Sequence, residues 1–188
     1  VFGGPAKLFE GCLMYSALSK IARVLAQSMA LIGGAILLLV IAMTFVSIIG
    51  RVLVPLDIGL GPIRGIYDIT EIGIAAAIFA FLPWCQLQRG HATVDLFKPA
   101  FPNVMNRVID VIMDAGMLTA AALIAWRLFL GMQDKLRYGE TTLIAQLPVW
   151  QGYAAALVGA VVFALVAGFC VIRSLRALVR SESLGEPH

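Results

Sequence analysis

Charge is scarce in this chain. Its 188 residues hold 14 Lys and Arg and 11 Asp and Glu, 13% in all, against about 25% in an average soluble domain. That is too little solvated surface to enclose a soluble core of this size. Histidine and cysteine are nearly absent as well. His91 and His188 stand alone, and Cys12, Cys85 and Cys170 are far apart with no C-x-x-C pair. A disulfide framework and a zinc site are thereby excluded. Gly-x-Ser, H-E-x-x-H and G-x-x-x-x-G-K-[ST] strings are missing, which removes the common serine-nucleophile, zinc-hydrolase and phosphate-loop chemistries. No Lys/Arg run with interleaved aromatics accompanies the net charge of +3, so no nucleic-acid partner is indicated. These absences point away from an enzyme, a cofactor or a resident metal.

What the chain has instead is apolar length. Hydrophobic residues make up 61% of it. Residues 24–50, 72–88 and 141–172 carry no charged residue or histidine, and 108–130 is interrupted only by Asp110, Asp114 and Arg127. A bilayer core about 30 Å thick takes roughly 20 residues of helix, so each stretch spans or nearly spans it. The first stretch exceeds the about 7–15 residues of a signal-peptide core and ends on no small-x-small site, so a retained span is expected.

The boundaries follow from breakers and periodicity. Leu8, Cys12, Tyr15, Leu18, Ala22 and Leu25 recur at three- and four-residue spacing, while Lys7, Lys20 and Arg23 fall elsewhere. This predicts an amphipathic helix over about 6–23, lying in the membrane interface. Pro55, Gly59, Gly61, Pro62 and Gly65 make 51–67 a loop. Asp68 and Glu71 resemble a capping box opening the second span. The second loop, about 88–106, holds Gly90, His91, Asp95, Lys98, Pro99 and Pro102, and Pro148 suits the first turn of a fourth span. Trp84, Trp126, Trp150 and Tyr153 fall near span ends, as an aromatic belt requires.

The fold expected is therefore all-α. It is one integral membrane domain over 1–188, with the interfacial helix, spans at about 25–50, 69–88, 107–130 and 148–172, and a cytoplasmic tail 173–188. Orientation is set by Lys and Arg. With both termini cytoplasmic, nine lie inside (Lys7, Lys20, Arg23, Arg89, Lys98, Arg107, Arg173, Arg176, Arg180) and five outside (Arg51, Arg64, Arg127, Lys135, Arg137). Nine against five favours N-in, C-in.

Few residues within this frame suggest chemistry. Gly152, Ala156, Ala160, Ala164 and Gly168 form a small-x-x-x-small row, which lets helix backbones approach closely. Gly73, Ala77 and Ala80 repeat the pattern in the second span. Asp110 and Asp114 share a face of the third span, with Arg107 three residues before Asp110. Structural ion pairing is the expected role, and an ion path is the alternative. Glu71 and Arg127 are expected at a similar depth, where they either pair or snorkel separately. His91 and Asp95 lack the further ligands of a metal or proton-transfer site and read as an ordered loop. Inverted repeats with interrupted helices around a polar midplane site, the usual signs of a carrier, are not recognisable.

Two strings carry a family resemblance. Glu71 in an apolar segment leads to Gly90-His91-Ala92-Thr93-Val94-Asp95. Gly139-Glu140-Thr141-Thr142 is followed by Leu147-Pro148-Val149-Trp150 and Tyr153. With the length, span count and orientation, these resemble the small four-helix Q-type membrane subunit of tripartite ATP-independent periplasmic (TRAP) transporters. The resemblance implies association with a large membrane subunit that carries solute and sodium ions in an elevator-like movement. It also implies a periplasmic solute-binding protein that delivers a carboxylate-bearing solute, such as a C4-dicarboxylate or sugar acid. The small subunit would be a scaffold embedded among membrane lipids, with Arg51, Arg64, Lys135 and Arg137 available to steer the binding protein. Two rivals stand beside it: a stand-alone carrier or channel using Asp110 and Asp114, and a membrane enzyme using His91 and Asp95.

Overall fold

The computed structural model describes residues 5–54, 63, 65–88 and 103–182. The described residues form four helices and no sheet: α1 (Pro5–Leu53), α2 (Ile66–Leu87), α3 (Asn103–Tyr138) and α4 (Trp150–Glu182). Each contains a segment long and apolar enough to cross a membrane: Ala17–Leu53, Ile66–Leu87, Arg107–Tyr138 and Trp150–Arg176. The described residues thus hold four candidate membrane spans.

The helices are longer than the apolar runs. No separate interfacial helix precedes the first span, because α1 runs unbroken through the boundary expected near residue 24. Between Gly11 and Gly33 there is no Gly or Pro to interrupt it, and nothing else competes with helix there. The side chains of the predicted amphipathic stretch before Ala17 lie outside the described residues. Similarly α4 continues to Glu182, so the first ten residues of the expected tail are helical. Arg173 and Arg176 end the apolar run without breaking the helix.

Breakers and caps set the other ends. Gly65, at φ 76°, opens α2 with no side-chain cap. The capping box expected at Asp68 and Glu71 is not formed; the Asp68 carboxylate is engaged elsewhere, as described below. Gly139, at φ 62°, follows the last residue of α3 as a left-handed C-terminal glycine. Pro148 lies two residues before α4 rather than in its first turn, and its carbonyl accepts the Gln151 N–H at 3.1 Å.

Close approaches give the topology. Gly33 on α1 faces Ala77 and Ala80, and Gly73 faces Val40, so α1 and α2 are antiparallel. Gly152 faces Ile72 and Gly159 faces Phe79, so α2 and α4 run parallel. Gly131 against Tyr153 and Gly168 against Leu118 make α3 and α4 antiparallel. The helices thus stand in the order α1, α2, α4, α3, with α1 also touching α4. The core lies along α4: Ala156, Ala160, Phe163, Val166, Ala167 and Cys170 are buried, and Ala26, Val166 and Cys170 form one cluster. Trp84, expected in the aromatic belt, packs partly against that cluster.

Candidate functional site

Among the described glycines, Gly159 on α4 comes tightest against the backbone of another helix, α2. A Cβ at Gly159 would lie 2.7 Å from both the carbonyl carbon and the oxygen of Phe79, far inside contact distance. Sequence explains why this carbonyl is there to be met. Pro83 sits inside α2, four residues after Phe79, and has no N–H to donate to it. Gly159 therefore packs its Cα against a carbonyl that the proline has freed.

The predicted small-residue row is only partly one face. Gly152 packs on Ile72 of α2, while Gly168 comes nearest to Leu118 of α3. Ala156 and Ala160 are buried between them, and Ala164 and Gly168 are only half-buried. Four-residue steps advance a helix by about 400°, so the row winds by about 40° per step and turns from one neighbour to the other. The second set, Gly73, Ala77 and Ala80, does face α1.

A polar tie closes one end of the bundle. The Ser174 hydroxyl on α4 donates to Oδ2 of Asp114 on α3 at 2.5 Å. Gln86 Nε2 on α2 makes a longer contact of 3.4 Å to Asp114 Oδ1, and the Cys170 thiol approaches the Gln86 carbonyl at 3.9 Å. Asp114, Gln86 and Ser174 are each buried. One carboxylate thus joins three helices. Asp110, one turn away on the same face, and Arg107 are half-buried. The sequence reading singled out Asp114 but neither Gln86 nor Ser174; their signal was polarity next to the ends of apolar runs, which is weak because solvated polar residues occur at the same places.

The opposite end carries a compact turn over 139–149. Thr142 N–H donates to Leu147 O at 2.9 Å, Val149 N–H to Glu140 O at 3.1 Å, and Leu147 N–H to Thr142 Oγ1 at 3.0 Å. Lys135 and Glu140 form an ion pair, with Nζ 2.5 Å from Oε2. Asp68 reaches across from α2 and accepts the N–H groups of Ile144 (3.1 Å) and Ala145 (2.9 Å). Gly65 is required beneath it, since a Cβ there would fall 2.5 Å from that of Ala145. Gly139, Thr142 and Pro148, singled out by sequence, are therefore parts of one turn, and Trp150 starts the helix after it. Asp68→Ala is expected to leave the helices intact while raising hydrogen exchange at Ile144 and Ala145; unchanged exchange at both would show that the carboxylate does not hold the turn.

Glu71 and Arg127 are both exposed, and among the described residues no ion pair joins them. α4 stands between their helices, so of the two alternatives the arrangement does not bring about the pair. Gly90, His91 and Asp95 lie outside the described residues. Three hydroxyls within the spans bond to their own helices, Ser28 to Leu25 O, Thr44 to Val40 O and Thr119 to Ala115 O, while the Ser47 hydroxyl accepts the Ile63 N–H at 3.3 Å. The described residues contain no group of three or more His, Cys, Asp or Glu placed to hold a metal.

Four apolar helices, a glycine-tight parallel pair at their centre and polar ties at both ends define a helical membrane subunit built around packing. A family model for the DctQ component of tripartite ATP-independent periplasmic transporters matches residues 40–179. The match takes in α2, α3 and all but the end of α4. The chain belongs to this family and is a small membrane subunit of a TRAP transporter. No match was found among curated proteins or among solved structures.

Proposed function

We propose that this chain is the static scaffold of a sodium-coupled TRAP transporter. It braces the large elevator-type membrane subunit while that subunit takes up a carboxylate-bearing solute delivered by a periplasmic binding protein. The observation that carries this reading is the α2–α4 seam, flanked on either side by long exposed apolar faces. Leu31, Leu38, Leu39 and Phe45 on α1, and Ile112, Met113, Leu123 and Trp126 on α3, are all exposed. A wall against which another domain slides must not deform. Backbone-to-backbone packing gives the least compressible seam available to helices. The outer faces then remain for lipid and for the larger subunit.

On this reading both termini are cytoplasmic in the inner membrane, and the 139–149 turn faces the periplasm. The buried Asp114 supports the structural role over the ion path, because its hydroxyl and amide contacts tie α3 to α4 and α2. Steering of the binding protein would fall to Arg51 and Arg137, both exposed; Lys135 is already paired with Glu140. Arg64 lies outside the described residues.

Co-expression with the large membrane subunit tests the reading. The two are expected to co-purify, and vesicles containing both, supplied with the binding protein, to accumulate solute on a sodium gradient. The chain alone is expected to give no flux. Flux by the chain alone would transfer the function to the carrier reading of Asp110 and Asp114.

A further inference from the structure

We propose that the 139–149 turn is a lipid anchor. Its tip, Leu143 and Ile144, dips into the interfacial region of the leaflet at the N-terminal end of α2. The proposal rests on the chain spanning the membrane and not on the scaffold function.

Depth comes first. The 22 residues of α2 make about 33 Å of helix, hardly more than the ~30 Å hydrocarbon core. For α2 to cross, Ile66, Tyr67 and Asp68 must stand at the edge of that core. Asp68 holds the N–H groups of Ile144 and Ala145, and Ala145 is packed down onto Gly65. The turn is thereby fixed at the same depth as the start of α2.

The polar bookkeeping of the turn suits a place with little water. The backbone N–H groups of Thr142, Ile144, Ala145, Leu147 and Val149 all have protein acceptors. Its one acidic side chain, Glu140, is neutralised by Lys135. Internal acceptors for these five N–H groups lower the cost of irregular backbone close to lipid. Among the side chains left outside, Thr141 and Gln146 are polar, and Leu143 and Ile144 form an apolar pair at the tip. Leu143 is 97% exposed and Ile144 57% exposed, which no interaction within the chain explains. Tyr67 and Tyr138 stand exposed at the ends of the neighbouring helices, as interfacial aromatics do, and Arg137 beside Tyr138 is placed to meet phosphates. A leucine and an isoleucine entering the headgroup–acyl boundary bury apolar surface in the manner of interfacial anchors. Through Asp68 that hold is passed to α2, which would resist displacement along the membrane normal.

The test places an environment-sensitive fluorophore on Leu143→Cys, and separately on Ile144→Cys, in the full chain. The carrier is vesicles of phosphatidylethanolamine and phosphatidylglycerol, with the unsubstituted chain labelled in parallel as the blank for the native cysteines. Quenching by nitroxide-bearing lipid is compared with quenching by aqueous iodide, for the chain alone and after co-purification with the large membrane subunit. Lipid quenching several-fold stronger than iodide quenching in both preparations is the expected result. Iodide quenching equal to or stronger than lipid quenching places the tip in water and overturns the proposal. Lipid quenching that disappears once the large subunit is bound makes the tip a protein contact, and overturns it as well. Failure to co-purify would bear on the scaffold reading and leave the first comparison standing.

Discussion

Gly159→Leu is expected to abolish the ordered bundle and with it any assembly or uptake. The side chain would have to occupy space already filled by the Phe79 carbonyl and by the Phe79 Cβ 2.9 Å away. A side chain in the way can change rotamer, but a helix backbone has no such freedom, so α2 and α4 must separate along their length. Overpacking of a well-filled core costs about 1–3 kcal/mol even when neighbours can shift, and here they cannot. A milder pair of variants isolates the cause. Gly34 lies in α1 with nothing within 4 Å of its Cβ position, so Gly34→Ala should gain the helix-propensity benefit of roughly 0.5–1 kcal/mol. Gly159→Ala carries the same propensity benefit and should nonetheless destabilise. Unfolding of the purified chain in detergent reads the difference. Equal stabilisation by both would mean that the α2–α4 seam is looser than its geometry implies.

The opposite signs expected at Gly34 and Gly159 also show how far a sequence can be read. Four spans were legible because lipid imposes one requirement, apolar length, that composition reveals directly. Helix ends were less so. Charge at Arg51, Asp134 and Arg173 marks where an apolar run stops but does not by itself stop a helix, and α3 and α4 therefore overrun their runs. That glycine and alanine mark interfaces was visible; which neighbour each one meets was not. The row from Gly152 to Gly168 winds between two helices, and only three-dimensional order places α4 between α2 and α3. The same order is what parts Glu71 from Arg127. Asp68 looked like a helix cap because acid, spacing and position fitted. Its carboxylate instead serves backbone groups 76 and 77 residues away, a pairing with no local signature. The Gly139–Trp150 string was recognised only as a motif. Its physical content emerges with the turn it builds: a left-handed glycine, a threonine used both as donor and as acceptor, and a proline that leaves no N–H to satisfy.

Asp114→Ala is expected to destabilise the isolated chain by about 1.5–3 kcal/mol, the range for removing a charged hydrogen-bond acceptor. Its removal takes away the acceptor that the Ser174 hydroxyl and the Gln86 amide share, and with it the polar tie between α3 and α4. Gln86 Oε1 already has no donor, so the loss leaves both ends of that amide unpartnered. Asp114→Asn should behave quite differently. The new amide oxygen accepts the Ser174 hydroxyl, and its NH2 group faces Gln86, which after a turn of its own amide presents the idle oxygen as acceptor. Shape and these two hydrogen bonds are then kept while the charge is lost, and the destabilisation should be well below that of Asp114→Ala. A cycle with Ser174→Ala apportions the energy: Asp114→Ala and Ser174→Ala together should cost less than the sum of the two, because they break the same bond. Uptake by the assembled transporter separates structure from transport. A tie between helices needs a hydrogen-bond acceptor of the right shape and tolerates asparagine, whereas an ion or proton path needs the carboxylate itself. Near-normal uptake with Asp114→Asn is the outcome the scaffold requires. An Asp114→Asn complex that assembles fully yet moves no solute would place this carboxylate on the transport path, and the small subunit would then be carrying charge as well as holding a wall in place.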